Sequence, residues 1–270
     1  MKNRNIAQNK FINRIIPIIN RILEFANFDS TVKIESRYTK EQVIPYDIDK
    51  EFLEIYEKSK DFTMTTIERM FSLYKAVDYI IKNEIPGDIV ECGVWKGGSM
   101  MLCALAFMKM NDTRRKIYLY DTYQGMTEPT HHDIGAKNNI EAKYKYNLLK
   151  KENKKWAYAP LKEVKYNLYS TGYPKNNLIF IKGKVEATIP SVMPDTISIL
   201  RLDTDWFDST YHELIYLYPK LSLNGILILD DYGHWKGAKK ATDKYFQENN
   251  INILLNRIDN TGRLAIKLKK

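Results

Sequence analysis

Two pairs of carboxylates stand at the ends of apolar runs in this chain. One is Asp203-Thr204-Asp205, after the run 197–202; the other is Asp230-Asp231, after the run 226–229. Each run reads as a buried strand. In an open parallel sheet, functional groups gather outside the carboxyl ends of the strands, so the two pairs would meet. Crowded carboxylates repel one another unless something neutralises them. A hard divalent cation with oxygen ligands does so, and Mg²⁺ is the expected ion. The competing role is helix capping, open to Asp205 or Asp208 before a helix near Ser209 and more weakly to Asp231. Metal binding is the stronger reading, because adjacent aspartates at one strand end are poor structure without a cation.

A second constellation follows the run 88–91. There Glu91 leads into Cys92-Gly93-Val94-Trp95-Lys96-Gly97-Gly98-Ser99, which opens a helix. Glycines let the chain turn tightly and let a ligand approach closely, and a helix N-terminus offers free N–H groups. An ordinary strand–helix turn is the plain alternative. The spacing is not the G-x-G-x-x-G of dinucleotide binders. An acid before the first glycine, with Asp121 ending the next run, suits S-adenosylmethionine better. Glu91 would sit near its amino-acid part, and Asp121 would accept bonds from the ribose hydroxyls. The histidines are His131, His132, His212 and His234. Adjacent His131 and His132 rarely converge on one ion, His212 reads as structural, and His234 follows the aspartate pair and lines the site. With Cys92 and Cys103 far from them, no zinc constellation is present.

These groups need a sheet to hold them. Apolar runs at 89–90, 117–120, 178–181, 197–202 and 226–229 alternate with helical patterns at 99–110, 209–221 and 235–248. That alternation implies an α/β fold with a parallel sheet and right-handed crossovers. Residues 253–257 and 263–269 flank Asp259-Asn260-Thr261-Gly262 and read as a terminal hairpin. A further helical pattern covers 65–82. Residues 1–60 read as a peripheral helical extension, whose apolar spacing at 11–23 is interrupted by Pro17. Packing on the body or on a second subunit is the favoured role, with a membrane-surface helix as the minor one. The expected domains are therefore 1–60 and 61–270, with an insertion at about 125–177.

Length and composition bound the rest. The chain has 270 residues, 44% of them hydrophobic, with 42 Lys+Arg against 33 Asp+Glu and a net charge of +9. That is a globular composition, not a disordered or disulfide-stapled one. Two cysteines imply a reducing, cytoplasmic setting. No run reaches the roughly 18 residues of a membrane span, and a cleavable signal peptide is not expected. The charge is local: residues 136–184 hold twelve lysines against three acids, and the remainder is neutral.

The motifs together resemble the macrocin O-methyltransferase family of bacterial sugar methyltransferases. The resemblance runs through 85–99, 119–126 and 182–190. Its most specific parts are Leu200-Arg201-Leu202-Asp203-Thr204-Asp205-Trp206 and Asp230-Asp231-Tyr232-Gly233-His234-Trp235. It covers roughly 62 to the C-terminus. It implies a class I methyltransferase sheet of seven strands, the last antiparallel, with a lid-like insertion. It implies S-adenosylmethionine and Mg²⁺ as cofactors. Asp203, Asp230 and Asp231 match the metal ligands, and Asp205 matches the proposed general base, with His234 as the alternative. Met64 and Thr65 fall beside the cofactor. Gly93, Gly97, Gly98, Ser99 and Gly183 lie in the matched cofactor-side stretches.

The implied reaction is methyl transfer to a sugar hydroxyl on a glycan, glycoside or natural product. A phenol or catechol acceptor is the alternative. A non-enzymatic nucleic-acid binder is a weaker one, resting on lysines with interleaved aromatic residues. In the family, the region holding the lysines lies over the acceptor side. They therefore argue for an acidic acceptor, with Lys150, Lys151, Lys154 and Lys155 as the residues to neutralise, and hardly at all for DNA. A homo-oligomer is expected.

Overall fold

Register places the catalytic candidates before any side chain is considered. In this computed structural model, which describes residues 46–268, the sheet has seven strands. They are β1 (Asp88–Cys92), β2 (Ile117–Asp121), β3 (Leu178–Lys182), β4 (Ile197–Leu202), β5 (Leu221–Leu229), β6 (Asn256–Arg257) and β7 (Arg263–Ile266). Their order is β3-β2-β1-β4-β5-β7-β6. The first five are parallel, and β7 runs antiparallel between β5 and β6. The chain winds outward from β1 to β3, then returns to β4 on the other side of β1. This reversal opens a crevice at the carboxyl ends of β1 and β4, where ligands bind in such sheets.

The central strands are buried on both faces, and β4 is buried at every residue. Helices therefore cover the sheet on two sides. One layer joins α1 (Lys50–Ser59), α2 (Ile67–Lys82) and α3 (Gly98–Lys109). The other joins α6 (Val185–Thr188), α7 (Phe207–Leu217) and α8 (Lys236–Glu248). Strand residues alternate between the layers. Val90, Cys92, Leu200 and Leu202 join the core under α7 and α8. Glu91 and Arg201, their neighbours in the chain, therefore face the α2 side, and the register pairs them directly. In α2, Met70, Leu73, Tyr74, Val77 and Ile80 recur at helical spacing and are buried. The Thr66 hydroxyl caps this helix by accepting the Arg69 N–H.

Between β2 and β3 the insertion carries α4 (Ala142–Lys151) and α5 (Leu161–Tyr169). It is fastened to the loops that end β4 and β5. Asp133 is fully buried, and its carboxylate accepts the N–H groups of Phe207 (2.8 Å) and Thr130 (2.7 Å). The Trp206 indole donates to the Thr127 carbonyl, 3.0 Å. Thus α7 is capped by the insertion's Asp133, not by Asp205 or Asp208. Asp49–Lys270 forms one compact unit that includes α1. The apolar spacing at 11–23 lies outside the described residues. Among the described residues no helix is long and apolar enough to cross a membrane.

Candidate active site

Two adjoining cavities occupy the crevice and share Met64, Trp95, Ala157, Asp203 and Asp205. The first is lined also by Gly93, Asp121 and Gly183. The second takes in Thr65, Gly98, Ser99, Asp230, Asp231 and His234. The predicted residues therefore converge, with two exceptions. Glu91 lies buried beneath the floor, and Gly97 sits behind it as the left-handed N-cap of α3.

The glycine turn is built for close packing of protein on protein. A Cβ on Gly93 would stand 1.9 Å from the Asp203 carbonyl oxygen, and its φ is +86°. One on Gly98 would meet the Phe62 backbone at 2.6 Å. To the expected tight turn and ligand approach the structure adds close packing of backbone on backbone. These glycines bring the β1 end against the β4 end, and the stretch that carries Met64 against α3. Asp121 ties the same turn down: its carboxylate accepts the N–H groups of Val94 (2.8 Å), Trp95 (3.1 Å) and Tyr123 (2.6 Å). It also lines the first cavity.

Beneath the cavities lies an ionic lattice. Arg201, buried in β4, donates to Glu91 (2.7 Å) and Asp230 (2.5 Å) and pairs with Asp203 (2.8 Å). Arg69 from α2 pairs with the other oxygen of Asp230 and with Asp259 (3.0 Å). Two guanidinium groups face six carboxylates: Glu91, Asp203, Asp205, Asp230, Asp231 and Asp259. One oxygen of Glu91 is buried without a hydrogen-bond partner. Burial, opposed by Arg201, raises the Glu91 pKa to about 7.

Asp203, Asp230 and Asp231 each offer an oxygen within 4.8 Å of the others. Burial drives the Asp203 and Asp231 pKa values well above the carboxylate range. Arg201 opposes the rise at Asp203, and the neighbouring aspartates add to both. Burial and the Asp203 charge push Asp205 up to about 7, against hydrogen bonds with Asp231 and Trp235. Protons are one remedy for such crowding, and a divalent cation is the other. An all-oxygen, acidic, partly desolvated donor set fits Mg²⁺. Asp205 itself has φ +67°. Its N–H donates to Asp231 (3.2 Å), and its Oδ1 accepts the Trp235 indole N–H (2.6 Å). The His234 ring stands at the cavity wall. Packing and the charges of Arg69 and Lys145 hold its pKa below the ordinary value, opposed by Asp230.

Several residues at the site are absent from the expected set. Arg69 and Arg201 offset part of the floor's negative charge. All four tryptophans of the chain gather here. Trp95, Trp156 and Trp235 line the cavities. Trp206 packs edge-on against Trp156 and Trp235, with ring centroids 5.6 and 5.1 Å apart. Two signals in the sequence pointed this way: an arginine inside an otherwise apolar strand, and the placing of Trp206 and Trp235 just after the aspartate pairs. The histidines outside the cavity have other work. His212 bonds the Ile189 carbonyl (3.0 Å), and His132 packs on Phe207.

A doubly wound sheet of this order, with its crevice walled by strand-end acids, is the architecture of the S-adenosylmethionine-dependent methyltransferases. The structure of the O-methyltransferase NovP superposes with a TM-score of 0.66 at 30% identity, covering 77% of this chain and 83% of that one. The family model for macrocin-O-methyltransferase (TylF) matches residues 31–266, and the chain belongs to that family. It is an O-methyltransferase. The demethyldecarbamoylnovobiocin O-methyltransferase of Streptomyces niveus is 32% identical over 201 residues, 74% of this chain and 73% of the relative. A tetracenomycin 4'-O-methyltransferase of Streptomyces olivaceus, whose full name specifies a dimethoxy-rhamnosyl substrate, is 30% identical over 200 residues. It too is matched over 74% of this chain and 73% of its own length.

Proposed function

We propose that the protein transfers a methyl group from S-adenosylmethionine to a sugar hydroxyl, with Mg²⁺ held by Asp203, Asp230 and Asp231. The observation that carries this reading is the convergence of those three carboxylates beside Asp205, in a cavity adjoining the one lined by Asp121. The names of the relatives support the sugar acceptor.

A sugar hydroxyl is a poor nucleophile at neutral pH, and a bound Mg²⁺ supplies a Lewis acid that lowers its pKa and orients it. The protein's own groups do the rest. Asp205, fixed by the Trp235 indole, stands beside the metal ligands and takes the hydroxyl proton. His234, held neutral at the wall, is the alternative acceptor of that proton. Glu91, buried beneath the floor, acts through Arg201, and Asp121, which lines the first cavity, takes the ribose hydroxyls. Trp95, Trp156 and Trp235 line the cavities and keep water from the reacting groups. The dominant contribution is positioning, because an in-line displacement needs the two reactants aligned.

The test is incubation with methyl-labelled S-adenosylmethionine and Mg²⁺ against nucleotide sugars, small glycosides, cell-surface glycans and catechols. Label is expected in a sugar-bearing acceptor. Label in catechols alone would move the acceptor to a phenol, and no transfer with no cofactor binding by calorimetry would refute the reading.

A further inference from the structure

The lysines of the insertion are unequal, and one stands apart. Lys143 pairs with Glu128 (3.3 Å), Lys154 pairs with Glu152 (2.9 Å), and Lys155 lies over the Tyr158 ring. Lys145, Lys150 and Lys151 are all exposed, but Lys150 and Lys151 line neither cavity at the site. Lys145 does line the second cavity, across from Asp203, Asp205, Asp230 and Asp231. Its ammonium rests 4.4 Å from the centroid of the Trp156 ring, and no carboxylate pairs with it among the described residues. Trp156 is in turn braced by Trp206 and Trp235.

A flexible lysine beside so many carboxylates would ordinarily swing down to one of them. The aromatic face keeps this charge on the wall instead. The cavity therefore has a negative floor and a single positive point on the insertion side. A neutral glycoside would leave that ammonium without a counter-charge. An acceptor carrying an anionic group would complete it with a charge-assisted hydrogen bond.

Resting on the sugar-methylation reading, we infer that Lys145, held over Trp156, forms a subsite for an anionic substituent of the acceptor, a carboxylate or a phosphate. The acidic specificity expected from the lysine-rich segment thus falls to this residue and not to Lys150, Lys151, Lys154 and Lys155.

The experiment compares matched acceptors with the wild-type enzyme, K145Q and the K150Q/K151Q double variant. One pair is p-nitrophenyl glucuronide against p-nitrophenyl glucoside, and the other a sugar phosphate against its free sugar. The readout is the ratio of kcat/KM, acidic over neutral. A parallel calorimetric titration of glucuronate and of glucose uses protein loaded with S-adenosylhomocysteine and Mg²⁺. The wild type is expected to favour at least one acidic member by about tenfold, the worth of one well-placed charge pair. The pair that shows it separates carboxylate from phosphate. K145Q is expected to bring the ratio near unity through KM, and K150Q/K151Q to leave it unchanged. A ratio equal in wild type and K145Q overturns the subsite. So does an equal collapse in the double variant, which would make the effect one of general surface charge. If no sugar of either kind is methylated while a catechol is, the sugar reading itself has failed. In that case glucuronate binding that depends on Lys145 would still uphold the anion subsite.

Discussion

Asp205 holds a backbone conformation that non-glycine residues rarely adopt, at φ +67°. Such a geometry persists only where surrounding contacts over-determine it. Here the Trp235 indole and the Asp231 carboxylate do so, from the loop that ends β5. The residue is thereby held beside Asp203, Asp230 and Asp231 instead of capping α7. Asp205→Asn should keep the fold and the cation but lower kcat by a factor of about 10² to 10⁴, the usual worth of a general base. Steady-state kinetics with a parallel Mg²⁺ titration measures both. An unchanged rate would transfer the proton to His234. At this scale much was legible. Asp203, Asp205, Asp230 and Asp231 stand out because acids closing apolar strands have few structural uses. Arg69 and Arg201 were not read, because most of their counter-charges, Glu91, Asp230 and Asp259, lie in segments remote from them in the chain. Lys145 was hidden among like residues, since composition locates a charge but not which exposed lysine borders the cavity.

The elements matter through how closely their ends approach. β1 and β4 run side by side, and the turn after β1 passes against the Asp203 carbonyl with no room for a side chain. Gly93→Ala should therefore cost about 3 kcal/mol or more, since it combines a positive φ with a backbone collision. Urea denaturation measures this, and a loss under about 1 kcal/mol would show that the strand ends can part cheaply. The strand–helix alternation was plain in the sequence, because buried parallel strands read as continuous apolar runs. The purpose of the glycines was not. Spacing alone cannot say whether a missing side chain makes room for a ligand or for another stretch of backbone. The insertion was visible only as a run of charge. Its fastening through Asp133, a buried acid bonded to the N-terminus of α7, depends on contacts across more than 70 residues of chain.

For the whole molecule, the separation of charge outweighs the total. The net +9 resides in one segment, of which Lys145, Trp156 and Ala157 border a cavity lined by four aspartates. Two arginines leave its floor with an excess of carboxylates, which a divalent cation would balance. Cofactor and cation would occupy adjoining cavities that share only a few residues, so removing one need not displace the other. The most direct measurement is methyl transfer to the acceptor before and after chelation with EDTA, alongside calorimetric binding of S-adenosylmethionine. Transfer should vanish on chelation and return with added Mg²⁺, while cofactor affinity stays the same. Full transfer in excess chelator would remove the cation from the mechanism and leave Asp203, Asp230 and Asp231 as structure alone.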